Sequence, residues 1–317
     1  MSENLPSFSV IVPTYERPRQ LASCLEALAR LDYPPEKCEV IVVDDGSAIS
    51  VENIVKQFSG SIDVKLLAQE NAGPAAARNF GATCARGKFI AFTDDDCAPH
   101  PGWLRALAQH FAITPDCVIG GQTVNALRSN PYSETSQLII DVVYAHFNVT
   151  PDEATFFASN NIAVPAARFR ELQGFDESFI TSEDRDFCDR WRARGFGMSF
   201  AADAIVVHAH HLTLRTLWQQ HFAYGQGAYR FHSECELRGR KTFRPDLVFY
   251  RKLLAAPFSQ IRNAMKIASV LRLLLLLLWS QIANAAGFAY ESYRPNQAAA
   301  AKEPADTVAA AGSMPIN

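Results

Sequence analysis

Four apolar runs in the first hundred residues constrain the fold more than any other feature: FSVIVPTY (8–15), EVIVVDDGS (39–47), VKLLAQ (64–69) and KFIAFTDDD (88–96). They favour β-branched and aromatic residues. Three of them are unbroken rather than alternating, the pattern of strands buried on both faces. Helical periodicity fills the gaps. Leu21, Leu25 and Leu28 recur in RPRQLASCLEALARLDYPP (17–35) until Pro34–Pro35 stops the helix, VENIVKQF (51–58) follows, and AGPAAARNFGATCARG (72–87) ends near Gly87. Alternating strand and helix predicts an α/β fold with a mostly parallel sheet flanked by helices.

The polar residues gather where the strands end. The first run closes on Pro13, Thr14, Tyr15 and Glu16, the second on Asp44 and Asp45, the fourth on Asp94, Asp95 and Asp96. Open parallel sheets bind ligands at the carboxyl ends of their strands. Three consecutive carboxylates repel one another, so a cation or a cationic ligand is expected among them. No GxGxxG follows the first strand and no GxxxxGK[ST] occurs, which excludes a dinucleotide fingerprint and a P-loop.

Net charge is −3, which gives no reason to expect nucleic acid as a partner. Seven cysteines without a CxxC pair or zinc spacing read as reduced thiols. The N-terminal residues show neither the basic nor the long apolar stretch of a secretory signal. Between Arg238 and Arg272 nine basic residues face one acid, Asp246, and LRLLLLLLWSQIANAAGFAY (271–290) follows. That apolar stretch matches the roughly 20 residues needed to cross a bilayer, although Arg272, Gln281 and Asn284 interrupt it. Basic and apolar segments side by side suit an anionic lipid surface on the cytoplasmic side, by spanning or by packing on it. The residues after Pro295 are Ala-rich and aperiodic and are not expected to fold. The expected division is a catalytic domain at 1–235, a membrane-contacting helical extension at 236–294 and a tail at 295–317.

SVIVPTYERP, EVIVVDDGS, NAGPAAARNFGATCARGKFIAFTDDDC, GFDESFITSEDRDFCDRWRARG and VVHAHH together resemble, in order and spacing, the family-2 glycosyltransferases of GT-A type, from about Phe8 to His211. The resemblance implies inverting transfer of a sugar from a nucleotide-diphosphate donor (UDP-, GDP- or dTDP-linked) to an acceptor hydroxyl, with Mn²⁺ or Mg²⁺. It implies Asp96 and His208 as metal contacts, with Asp95 as the alternative carboxylate. Pro13, Thr14, Tyr15, Glu16, Asp44, Asp45, Arg78, Asp94 and Asp95 would form the donor site, and Asn160, Asn161 and Glu183 the acceptor side. HFAYGQGAYRF (221–231) falls where relatives carry a flexible loop over the donor. It lacks the QxxRW of processive synthases, which argues against a cellulose- or hyaluronan-type synthase, while the basic and apolar C-terminal region motivates an envelope or lipid-linked glycan as acceptor.

Asp184, Phe187, Cys188 and Trp191 fall at i, i+3, i+4 and i+7 and share one helix face. Glu183 and Asp186 are expected to point elsewhere. Partial burial of Asp184 would raise its carboxyl pKa towards that of a general base. The alternative is an inactive, nucleotide-sugar-binding membrane scaffold, which would be expected to have lost these acids.

Overall fold

The computed structural model describes residues 5–150, 154–240, 245–261 and 267–294. One eight-stranded sheet organises the chain, in the order β3-β2-β1-β4-β7-β6-β8-β5. Its strands are β1 (Phe8–Thr14), β2 (Cys38–Asp44), β3 (Asp63–Ala68), β4 (Phe89–Thr93), β5 (Cys97–Pro99), β6 (Val118–Asn125), β7 (Asn161–Pro165) and β8 (Met198–His208). β3, β2, β1 and β4 run parallel. β7 opposes both β4 and β6, β8 is parallel to β6, and β5 pairs antiparallel with β8.

Every residue of β1 is buried. Val10 and Val12 face a core shared with Leu21, Leu25 and Leu28 of α1 (Pro18–Leu28) and with Leu104, Leu107 and Phe111 of α4 (Trp103–Ile113). Ile11 faces the opposite core with Ile41, Ile90, Phe92 and the helices α3 (Pro74–Thr83), α6 (Ala166–Glu171) and α7 (Glu183–Ala193). Two cores on two faces explain why the apolar runs do not alternate. The outer strand β3 is covered by α2 (Glu52–Phe58) and is only partly buried.

Pairing brings the polar strand ends to one edge. Thr14 lies opposite Asp44 in the β1–β2 register. The β5–β8 register sets Cys97 opposite His208, which carries Asp96 to the end of β8.

The remaining helices are α5 (Pro131–Phe147), α8 (Leu214–Leu237), α9 (Leu247–Ile261) and α10 (Ile267–Tyr293). Leu253 of α9 and Leu277 of α10 join Leu138, Ile139 and Val142 of α5 in a small core. HFAYGQGAYRF is not a loop: it forms the middle of α8. A Cβ on Gly225 would overlap the Asn284 carbonyl of α10, and one on Gly227 would overlap Thr181. These glycines serve close helix approach rather than chain flexibility. Of the basic run, Lys241, Arg244, Arg262 and Lys266 lie outside the described residues, as does the tail at 295–317.

Candidate active site

Each of the three consecutive aspartates has its own cationic neighbour. Arg78 Nη2 lies 2.6 Å from Asp94 Oδ1. Arg17 Nη1 lies 3.2 Å from Asp95 Oδ1 and 3.2 Å from Asp96 Oδ2. His208 Nε2 lies 3.2 Å from Asp96 Oδ1. Thr14, at the end of β1, donates its hydroxyl to Asp95 Oδ2 at 2.7 Å. Burial pushes the Asp95 carboxyl up to about 6, although Arg17 and Thr14 oppose it. Burial acts the same way on Asp96, but the bond and charge of His208, with Arg17, outweigh it and hold that carboxyl down at about 2. Of these two carboxyls, Asp96 is the more acidic.

A chain of ion pairs links this cluster to α7. Buried Arg78 also places Nη1 2.9 Å from Glu183 Oε1, and its Nε has no partner among the described residues. Asp184 follows in the first turn of α7. Its Oδ1 accepts from the Arg185 amide at 2.7 Å and its Oδ2 from the Ser159 amide at 3.3 Å. Burial, then the charge of Glu183, push its carboxyl up to about 7 against those amides and Arg78. A carboxyl balanced near neutrality suits general-base chemistry.

Residues 9–171 match the family model described as glycosyl transferase family 2. The chain is a family 2 glycosyltransferase. It is 31% identical over 216 residues to the glycosyltransferase AglE of Haloferax volcanii, covering 66% of this chain and 68% of that one. It is 32% identical over 207 residues to a pre-mycofactocin glycosyltransferase of Mycobacterium tuberculosis, covering 63% of this chain and 44% of that protein. Among solved structures, the Pyrobaculum calidifontis mannosyltransferase PcManGT, in complex with GDP-Man and Mn²⁺, superposes with a TM-score of 0.65 at 18% identity, over 91% of this chain and 88% of that one. Staphylococcus aureus TarS 1–349 superposes with a TM-score of 0.56 at 19% identity, over 92% of both. These two likenesses show the GT-A fold.

The donor set of this glycosyltransferase fits a divalent cation. Ligand atoms of Asp96, Cys97 and His208 lie within 4.8 Å of one another. Burial raises the Cys97 thiol well above its usual range, so it stays protonated and is a poor ligand. A carboxylate oxygen remains, with an imidazole nitrogen that can serve as a ligand once His208 gives up the proton that its bond to Asp96 favours; such a pair suits Mn²⁺, and Mg²⁺ less well.

Several expected site residues have other tasks. Asn161 is fully buried: it accepts from Trp103 Nε1 at 2.9 Å and donates to the Gln122 and Ala204 carbonyls, both at 3.0 Å. It holds the sheet together and does not line an acceptor cleft. Asn160 accepts from the Thr123 hydroxyl at 3.4 Å. The Asp45 carboxylate is taken up by Gln69 Nε2 and the Ala72 and Gly73 amides, so it clamps the loop before α3. Asp44 accepts from the Ser47 amide. Glu16, at φ +56°, accepts from the Ala48 amide and ties two loops together. Pro13 is buried within β1, while Tyr15 is 48% exposed at the strand end.

The periodicity of α7 sets Glu183 and Asp186 off the face of Asp184, yet both are buried. Glu183 is held by Arg78 and by the Ser159 hydroxyl. Asp186 is fully buried, 2.7 Å from both Arg190 Nε and Arg238 Nη1. A helical wheel describes one helix and not the arginines that reach it from α3 and from the end of α8.

Sequence reasoning also missed Arg17, and the pair Gln220 and Tyr224 on α8. Gln220 Nε2 donates to the Tyr224 hydroxyl at 2.9 Å, and Gln220 Oε1 has no partner among the described residues. Burial raises the Tyr224 hydroxyl despite that bond, and the charges of Asp184, Glu183 and Asp94 add to the rise, which puts Tyr224 within electrostatic reach of the site. The visible signal for Arg17 was its place three residues past Thr14, at the strand end that carries the other polar groups.

Proposed function

We propose that this glycosyltransferase moves a sugar from a nucleoside-diphosphate donor to an acceptor hydroxyl with inversion at the anomeric carbon, and that Asp184 is the general base. The observation that carries this is the Asp184 carboxyl, raised to about 7 and linked through Glu183, Arg78 and Asp94 to the aspartate–histidine cluster. Asp184 takes the proton of the acceptor hydroxyl as that oxygen bonds to the anomeric carbon. The bond from that carbon to the diphosphate oxygen breaks in the same step. Mn²⁺ or Mg²⁺, held by Asp96 and His208, would neutralise charge on the leaving diphosphate.

Tyr15 and Thr14 lie at the strand end suited to the nucleotide base, with Asp44 beside them. Arg78 stands between donor and acceptor sides. Gln220 and Tyr224, rather than the saturated Asn161, are the polar groups proposed for the acceptor side. The nucleotide sugars bound by relatives, GDP-Man in PcManGT and UDP-GlcNAc in TarS, support a donor of this class. Residues 1–235 are read as the catalytic domain. Residues 236–294 are read as an extension that contacts the cytoplasmic face of a membrane and brings a glycan or lipid-linked acceptor to the site.

The test is a turnover screen across UDP-, GDP- and dTDP-sugars with and without Mn²⁺, with the product anomer read by NMR. Metal-stimulated turnover of one donor with inverted configuration is expected. A retained configuration, or full turnover by Asp184→Asn, overturns the proposal.

A further inference from the structure

We infer that α9 and α10 form a platform lying in the plane of an anionic lipid surface, with α10 running along the bilayer and not through it. This geometry rests on the membrane contact proposed above and fixes its form.

By length and composition α10 could cross a membrane: within Ala268–Tyr293 an 18-residue window reaches a mean hydropathy of 1.5. Its packing forbids that. α10 docks lengthwise on α8, with ring centroids 4.6 Å apart for Trp218 and Trp279, 5.6 Å for Phe222 and Tyr290, and 5.3 Å for Tyr229 and Phe288. Arg230 Nε lies 2.6 Å from Glu291 Oε1. From Trp218–Trp279 through Gly225–Asn284 to Arg230–Glu291 the residue numbers rise together, so the helices run side by side in parallel. A bilayer enclosing α10 would also enclose α8, with Arg215, Gln219, Gln220, Gln226 and Arg230. Charged and polar side chains at that depth are costly.

The other side of α10 is built for lipid. Leu271, Leu275, Leu278 and Ile282 recur at steps of four, three and four residues, which forms one stripe. All four are exposed. Neighbouring α9 exposes Val248, Leu254 and Phe258. Arg251, Lys252 and Arg272 are exposed on the same two helices. Exposed apolar side chains with basic residues on the same two helices fit acyl chains below and anionic headgroups around. A second copy of this chain is the poorer occupant, because it would bring like charges together. α8 then stands between lipid and active site. A helix is about 10–12 Å across, so the reacting hydroxyl of the acceptor would sit at about that height above the platform.

The experiment uses the full chain with sealed vesicles of phosphatidylcholine, with and without phosphatidylglycerol. Flotation with the anionic vesicles is expected. Leu275→Glu/Leu278→Glu should weaken vesicle binding by about tenfold or more while donor turnover and Tm hold. Ala268→Cys and Tyr293→Cys mark the two ends of α10. Both should react equally with a membrane-impermeant maleimide added outside, above the labelling of the parent protein. Flotation with the two ends on opposite sides of the bilayer overturns the in-plane geometry and leaves membrane contact standing. Failure to float overturns both, and a dimer broken by Leu275→Glu without vesicle binding assigns the patch to a second copy.

Discussion

Arg17 Nη1 stands 3.2 Å from a carboxylate oxygen of both Asp95 and Asp96. A half-exposed guanidinium thus supplies the positive charge that three adjacent aspartates demand. It is a resident counter-ion, and a divalent cation entering beside Asp96 must compete with it. Removing it leaves two carboxylates less compensated. Arg17→Gln should therefore tighten Mn²⁺ binding to the nucleotide-free protein, by about tenfold for a loss of about 1.4 kcal/mol of competition. Manganese EPR titration measures this directly. Unchanged or weaker binding would show that the guanidinium and the cation do not share the site.

Asp184 yields a prediction with opposite signs for activity and stability. As a base it must be ionised, so kcat/KM should rise with pH through about 7 and level off above it. For folding, a carboxyl raised from 3.8 to about 7 binds its proton more tightly in the native state. Its contribution to stability is complete below the unfolded value and is lost as pH rises through the folded one. Asp184→Asn escapes that loss. The variant should melt higher than the parent at pH 8 and alike at pH 4, keep donor affinity, and lose about 10²–10⁴ in kcat. Melting curves at the two pH values and single-turnover rates test both halves.

Glu183 sits beside the proposed base, and its charge is the second cause of the raised Asp184 carboxyl after burial. Glu183→Gln removes that charge. The acid limb of the kcat/KM profile should then move to lower pH. If Glu183 instead touches the acceptor, the variant raises acceptor KM and leaves the limb in place. The pH profile separates the two roles.

The strand ends were legible in the sequence because a sheet converts chain order into a shared edge. Thr14, Asp44 and Asp95 needed only the β1–β2 and β1–β4 pairing to meet. Asp184 was legible because helical spacing sets it on the face of Phe187, Cys188 and Trp191, which are all buried. What stayed hidden depends on partners remote in the chain. Asn161 and Asp45 look like free ligand groups until the carbonyls and amides that saturate them are in place. Glu183 and Asp186 give no sign of burial until Arg78 and Arg238 arrive. The glycines of HFAYGQGAYRF suggested a flexible loop, because composition cannot distinguish freedom from close approach.

Gly225 tests that last distinction. In an exposed helix, Gly→Ala stabilises by about 1 kcal/mol. Here the new methyl group would overlap the backbone carbonyl of Asn284, and a backbone atom cannot rotate aside. Overpacking of this kind costs about 1–3 kcal/mol, which outweighs the helical gain. The overlap would also push α10 away from α8, loosening the rings of Trp218 and Trp279. Gly225→Ala should therefore lower Tm and raise hydrogen exchange in α10. Gly60→Ala, whose Cβ would meet nothing within 4 Å, serves as the control and should leave both unchanged. A Gly225→Ala protein that melted higher than the parent would mean that α10 does not rest on α8 in solution.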